Sequence, residues 1–156
     1  FTPKSMLRHP DAASPIEEFL RPRFEWVVPD REVTSAQRIL ICSGKIGHEL
    51  RAERKRRGDT ETAILFLDQL YPFPKNELRA EIARHPNARE IVWVQEEPAN
   101  MGALSYVFPR IQHYIQGIPA RSVKRSASAS PATGSAKAHE LEQKTLLTLA
   151  LTTGSS

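Results

Sequence analysis

The sequence contains a single cysteine, Cys42, among 156 residues. It can form neither an internal disulfide nor a cysteine-rich zinc cluster, and a lone thiol inside an apolar run suits a reducing compartment, the cytoplasm or a mitochondrial matrix. Long apolar runs are missing too. Stretches such as Ile39-Leu40-Ile41-Cys42 fall far short of the roughly 18 residues of a membrane-crossing helix, so a membrane-spanning helix is excluded. Charge of one sign is scarcely in excess: 22 basic against 18 acidic side chains give +4, a balance that does not require a nucleic-acid partner. His9, His48, His85, His113 and His139 show no His-x-x-x-His or Cys-His spacing, which argues against a zinc site. A Gly-x-Ser-x-Gly nucleophile elbow is absent. The chain opens on Phe1 without Met and without a charged-then-apolar leader, which reads as a piece of something longer. With 40% hydrophobic and 26% charged residues, what remains matches one ordinary globular domain.

The chain divides into three. Residues 1–37 carry Pro3, Pro10, Pro15, Pro22 and Pro29, a spacing that forbids long helix or ladder and reads as an extended arm. Within it Ser14 to Leu20 predicts a short helix, with Ser as cap, Pro15 at the first helical position and acids in the first turn. Phe24 to Val28 predicts a brief extended segment. Residues 38–151 are regular. Apolar runs at Arg38–Cys42, Ala63–Leu67 and Glu90–Gln95 predict buried strands, and helices are predicted at about Ile46–Arg57 (closed by Gly58), after Tyr71-Pro72-Phe73-Pro74, and at about Gly102–Tyr114. Three strand-helix pairs in succession imply parallel strands with helices on both faces. Ala120–Lys124 adds a last strand. A final helix over about Ala138–Leu151 places Leu141, Leu147 and Leu151 at helical spacing, and residues 152–156 form a frayed tail.

Candidate chemistry lies at strand ends. Ser43-Gly44-Lys45 joins a strand to a helix, where free N–H groups and the helix dipole suit an anion, although Lys45 is followed by Ile46 and neither a P-loop nor a dinucleotide fingerprint is complete. A capping role for Ser43 is the plainer alternative. Lys45, Arg51, Arg54, Lys55, Arg56 and Arg57, set against Glu49 and Glu53, carry the whole net charge and read as a solvated face, or else as a surface for a phosphate-bearing effector or an acidic subunit. Glu96 and Glu97 are adjacent carboxylates that invite a general acid–base reading, but neighbours should point apart, one meeting an Arg and the other capping the next helix. Cys42 is expected to be a buried, inert thiol.

Five blocks recur in this order in one family: Lys4-Ser5-Met6-Leu7-Arg8-His9-Pro10, Cys42-Ser43-Gly44-Lys45, Gln69 to Pro74, Gln95 to Gly102, and Ser126 to Gly134. Over about residues 2–150 the chain resembles the carboxy-terminal domain of the thiamine-diphosphate-dependent first component of 2-oxoglutarate dehydrogenase. The resemblance implies an α/β three-layer sandwich of the transketolase carboxy-terminal type, with a mostly parallel sheet plus one antiparallel strand, completing a homodimer. It implies that thiamine diphosphate and magnesium sit in upstream domains, so no catalytic, cofactor-binding or metal residue is expected within these 156. The whole enzyme is expected to decarboxylate 2-oxoglutarate and succinylate the lipoyl arm of dihydrolipoyl succinyltransferase. The resemblance also turns the serine-rich stretch from a linker into an ordered loop. It makes Ser43, Lys45, Lys124 and Arg125 the candidate anion site for an adenine nucleotide or acetyl-CoA effector. Ile46-Gly47-His48 and Ala103-Leu104 depart from the aromatic residues usual there. Alternatives are a related 2-oxoadipate enzyme, a stand-alone nucleotide or acetyl-CoA module, and a purely structural dimerisation domain whose arm residues Phe24 and Trp26 bury against a partner.

Overall fold

The apolar runs form the middle of a five-stranded sheet. In the computed structural model, which describes residues 3–14, 16–20, 23–130 and 133–152, the strands are β1 (Val27–Val28), β2 (Arg38–Cys42), β3 (Thr62–Leu67), β4 (Glu90–Pro98) and β5 (Ala120–Arg125). The helices are α1 (Ile16–Phe19), α2 (Lys45–Arg57), α3 (Lys75–Ala83), α4 (Leu104–Tyr114) and α5 (Ala136–Leu151). Strand order is β1-β3-β2-β4-β5. β2 pairs in parallel with both neighbours, Ile39 facing Ala63 on one side and Ile91 on the other, and β5 runs parallel to β4. β1 alone is antiparallel, with Val27 opposite Leu67. The one antiparallel strand therefore comes from the proline-rich segment.

Successive strand residues face opposite ways, and the core divides accordingly. Ile39, Ile41, Leu65, Leu67, Ile91 and Trp93 pack under Leu78 and Ile82 of α3 and Val107 and Ile111 of α4. Leu40, Cys42, Ile64, Phe66, Val92 and Val94 pack under Ile46 and Leu50 of α2 and Leu146 and Ala150 of α5. Both faces are covered, which is why these strands read as unbroken apolar runs. No helix among the described residues is long and apolar enough to cross a membrane.

Two details differ from the sequence reading. Leu141 is 68% exposed, because the inward stripe of α5 runs through Gln143, Leu146, Leu147 and Ala150, and Leu141 lies off that face. Arg54, read as part of a solvated basic face, has a side chain only 2% exposed, paired to Asp30. Asp30 Oδ1 accepts from the N–H groups of Glu32 (2.9 Å) and Val33 (3.1 Å), and Oδ2 from Ile64 (2.8 Å) and from Arg54 Nη1. Arg54 also donates to Thr62 O at 3.0 Å and to Glu32. This carboxylate ties residues 30–33 to β3 and α2. Pro15, Pro22, Pro131, Ala132 and tail residues 153–156, each part of an expectation above, lie outside the described residues.

Candidate functional site

Two neighbouring strands send the chain to opposite faces: β2 leads into α2 on one side, while β4 leads into α4 on the other. Such a divergence opens a crevice at the carboxyl ends of the strands, where doubly wound sheets bind ligands. A cavity of about 460 Å³ lies there, lined by Ser43, Leu70, Tyr71, Trp93, Gln95, Glu97, Gly102, Ala103 and Tyr106.

One buried amide builds the cavity wall. Trp93 Nε1 donates to Gln95 Oε1 at 3.1 Å, and Gln95 Nε2 donates to the carbonyls of Glu97 (3.3 Å), Pro98 (3.2 Å) and Met101 (2.9 Å). Gln95 is 3% exposed, so these groups have little water to fall back on. Gly102 closes the same loop at φ +68°, and a Cβ there would lie 3.0 Å from Glu97 Cβ and 3.1 Å from Gln95 Nε2. Replacing Gln95 by leucine, nearly isosteric but unable to donate or accept, is expected to cost about 1–2 kcal/mol by leaving Trp93 Nε1 and the loop carbonyls unpaired. A urea titration showing no loss would mean that the loop is held by other contacts.

Glu96 and Glu97 do point apart. Glu96 faces α2 and α5: Lys45 Nζ lies 3.2 Å from its carboxylate and Gln143 Nε2 donates to it at 3.0 Å. Lys45 also pairs with Glu49 at 2.7 Å. Burial works to lower the Lys45 pKa, but the hydrogen bonds and charges of Glu49 and Glu96 outweigh it and hold the ammonium above its ordinary value. Arg125 Nε donates to the Glu96 carbonyl, and its Nη1 reaches Thr133 Oγ1 at 3.3 Å and Glu142 at 3.2 Å. Glu97 faces the cavity and does not cap α4, whose N-cap is Ala103.

The four sequence-predicted residues separate into two groups. Lys45 and Arg125 meet at Glu96, already neutralised by carboxylates. Ser43 lines the cavity on the other face. Lys124 alternates away from Arg125 and donates to Ser122 Oγ at 3.0 Å; Gly44, not Ser43, is the N-cap of α2. The basic helix is likewise largely self-paired: Arg56 and Arg57 bind Glu53, and Arg51 donates to Pro29 O (3.2 Å) and lies 4.4 Å over the Phe66 ring. In the described part of the serine-rich loop, Asn100 Nδ2 donates to Ser128 O (2.9 Å) and Ser128 N to Asn100 Oδ1 (3.0 Å). Cys42 is buried, and burial pushes its thiol up to about 12. Among the described residues no group of three or more His, Cys, Asp or Glu is placed to hold a metal. Sequence reasoning missed the cavity residues Tyr71, Trp93, Gln95, Glu97 and Tyr106 as one set. The available signal was position, since Tyr71 and Glu97 lie at or just past the carboxyl ends of β3 and β4.

Comparison with known proteins gives consistent matches. The sequence model of the family described as "2-oxoglutarate dehydrogenase C-terminal" matches residues 13–151. A 2-oxoglutarate dehydrogenase E1 component of Cupriavidus necator is 45% identical over 154 residues, covering 94% of this chain and 16% of the relative. The mitochondrial 2-oxoglutarate dehydrogenase of Caenorhabditis elegans is 39% identical over 156 residues, covering 94% and 15%. The chain thus spans about a sixth of the length of these relatives. Among solved structures, a chain titled "Split gene transketolase, inactive beta4 tetramer" superposes with a TM-score of 0.55 at 15% identity, over 83% of this chain and 44% of that one. That likeness concerns the fold, a transketolase-like α/β sandwich.

Proposed function

Because the chain belongs to the 2-oxoglutarate dehydrogenase C-terminal family, we propose that it is the carboxy-terminal domain of the first component of a 2-oxoglutarate dehydrogenase. The match over residues 13–151 carries this reading. On it, the full-length enzyme decarboxylates 2-oxoglutarate and passes the succinyl group to the lipoyl arm of dihydrolipoyl succinyltransferase, in a bacterial cytoplasm or a mitochondrial matrix. Thiamine diphosphate supplies the electron sink for such chemistry. On this reading the cofactor and its magnesium are assigned to other domains of the full-length enzyme.

The domain's own part is to contribute homodimer contacts and to bind an effector. Supporting the first, Leu7, Ile16, Phe19, Leu20, Phe24 and Trp26 are all exposed, a concentration of apolar surface typical of an interaction face. For the second, the phosphates of an adenine nucleotide or acetyl-CoA would displace the carboxylates of Glu49, Glu96 and Glu142 from Lys45 and Arg125, while Ser43 and Lys124 lie on the opposite face of the sheet. Steady-state turnover of the full-length protein tests the reading. We expect kcat/KM for 2-oxoglutarate to exceed that for 2-oxoadipate by about tenfold or more, the scale of one methylene in a fitted pocket. Preference for the longer acid overturns the substrate assignment, and turnover of neither overturns the enzyme assignment.

A further inference from the structure

The geometry points to a binding site for a small organic cation in the cavity at the carboxyl ends of β2 and β4. Its volume of about 460 Å³ falls inside the range of small-molecule sites, roughly 300–1,000 Å³. The walls are aromatic. Trp93 lines it from β4, Tyr106 from α4 and Tyr71 from beyond β3, and the two tyrosine rings have centroids 6.4 Å apart with planes inclined at 58°. Aromatic faces carry negative potential and attract ammonium and guanidinium groups.

Charge then selects the ligand class. Among the described residues Glu97 supplies the one carboxylate lining the cavity, and that carboxylate takes part in no hydrogen bond or ion pair with any of them. Its neighbour Glu96 shows the contrast, being neutralised by Lys45 at 3.2 Å on the opposite face. Among the described residues no lysine or arginine lines the cavity. The nearby Arg110 stacks on Tyr106 with its guanidinium carbon 3.7 Å from the ring centroid and donates to Tyr106 O at 2.7 Å; it shows that this ring engages cations, while its own charge stays outside the lining. An anionic ligand would meet the Glu97 charge head on. A neutral apolar ligand would cover part of that exposed carboxylate and offer it nothing in return. A cation with an apolar or aromatic body satisfies both the carboxylate and the rings, and the Ser43 hydroxyl offers one further polar contact. The site is also set in advance, because the Gln95 amide fixes the loop that carries Glu97 and Gly102. This inference rests on the cavity alone and is independent of the enzyme assignment.

Calorimetric titration of the full-length protein with benzyltrimethylammonium, and with benzyl alcohol as the neutral counterpart, tests it at constant ionic strength. We expect saturable binding of the cation, with benzyl alcohol at least about tenfold weaker. Glu97→Gln should weaken the cation about tenfold, and Tyr71→Ala by about fivefold, while both leave the urea midpoint unchanged, since the Glu97 carboxylate makes no internal bond and Tyr71 is 81% exposed. Absence of saturation, equal affinity for the alcohol, or unchanged affinity in Glu97→Gln would each overturn the proposal.

Discussion

Replacing Asp30 by alanine is expected to destabilise the domain by about 3–5 kcal/mol, a large part of the roughly 5–15 kcal/mol that holds an ordinary domain together. The side chains of Asp30 and Arg54 are 1% and 2% exposed, so removing the carboxylate takes from a buried guanidinium its one buried counter-charge. The guanidinium then keeps only the Thr62 carbonyl and the largely exposed Glu32 carboxylate as partners, and the N–H groups of Val33 and Ile64 lose their acceptor. In a urea titration the midpoint should fall sharply. Arg54→Met on its own should also cost several kcal/mol, but the double variant should cost less than the two losses added, because neither charge is then left alone. A loss below about 1 kcal/mol for Asp30→Ala would show that water or another cation replaces the pair. Acid gives an independent readout. Burial acts to raise the Asp30 pKa, but the Ile64 N–H, the hydrogen bond and charge of Arg54, and the Glu32 N–H outweigh it and hold the carboxyl below its ordinary value. A depressed carboxyl contributes stability that is fully present above the unfolded pKa of about 3.9 and is lost as pH falls through the folded value. Stability should therefore decline below about pH 4 in the native protein, and more shallowly in Asp30→Asn.

Asp30 also marks where the sequence stopped being legible. The strands expected at Arg38–Cys42, Ala63–Leu67 and Glu90–Gln95 could be read because their centres, Ile39–Cys42, Ala63–Leu67 and Ile91–Val94, are buried on both faces and so are runs of consecutive apolar residues independent of any partner. Helix α2 could be read because Gly58 stops it after a basic last turn. Asp30 follows a proline and reads as a turn residue, and its importance comes from partners 24 and 34 positions away. Arg54 sits in a run of basic residues that looks like a solvated face, and only the docking of residues 30–33 converts that one position into an interior. The cavity is non-local in the same way. Ser43, Tyr71, Trp93, Glu97 and Tyr106 come from four separate segments, and no spacing in the sequence records that strand order places β2 beside β4. The splitting of Glu96 from Glu97 was legible, because consecutive residues on an extended strand alternate faces whatever the tertiary context.

Gly47→Ala should destabilise the domain by about 2–3 kcal/mol, against the usual direction for such a change. In a helix interior alanine is favoured over glycine by about 1 kcal/mol, and at Gly47, in the first turn of α2, by less, so on propensity alone α2 should still gain. Packing reverses the sign. Phe66 on β3 fills the space over Gly47, and a Cβ there would lie 2.3 Å from two of its ring atoms and 2.9 Å from Cys42 Sγ. The ring has little room to retreat, being 5.1 Å centroid to centroid from His48 in an edge arrangement and covered by the Arg51 guanidinium at 4.4 Å. Overpacking of this kind costs about 1–3 kcal/mol and occasionally more, and contacts this short place it at the upper end, enough to exceed the propensity gain. Phe66→Leu removes the ring atoms that collide. Combined with Gly47→Ala it should recover part of the stability, giving a favourable coupling in a double-mutant cycle although Phe66→Leu alone is destabilising. If Gly47→Ala instead raises the urea midpoint, then α2 can shift away from the sheet, and the close approach of that helix to β3 is not what holds Phe66 in place.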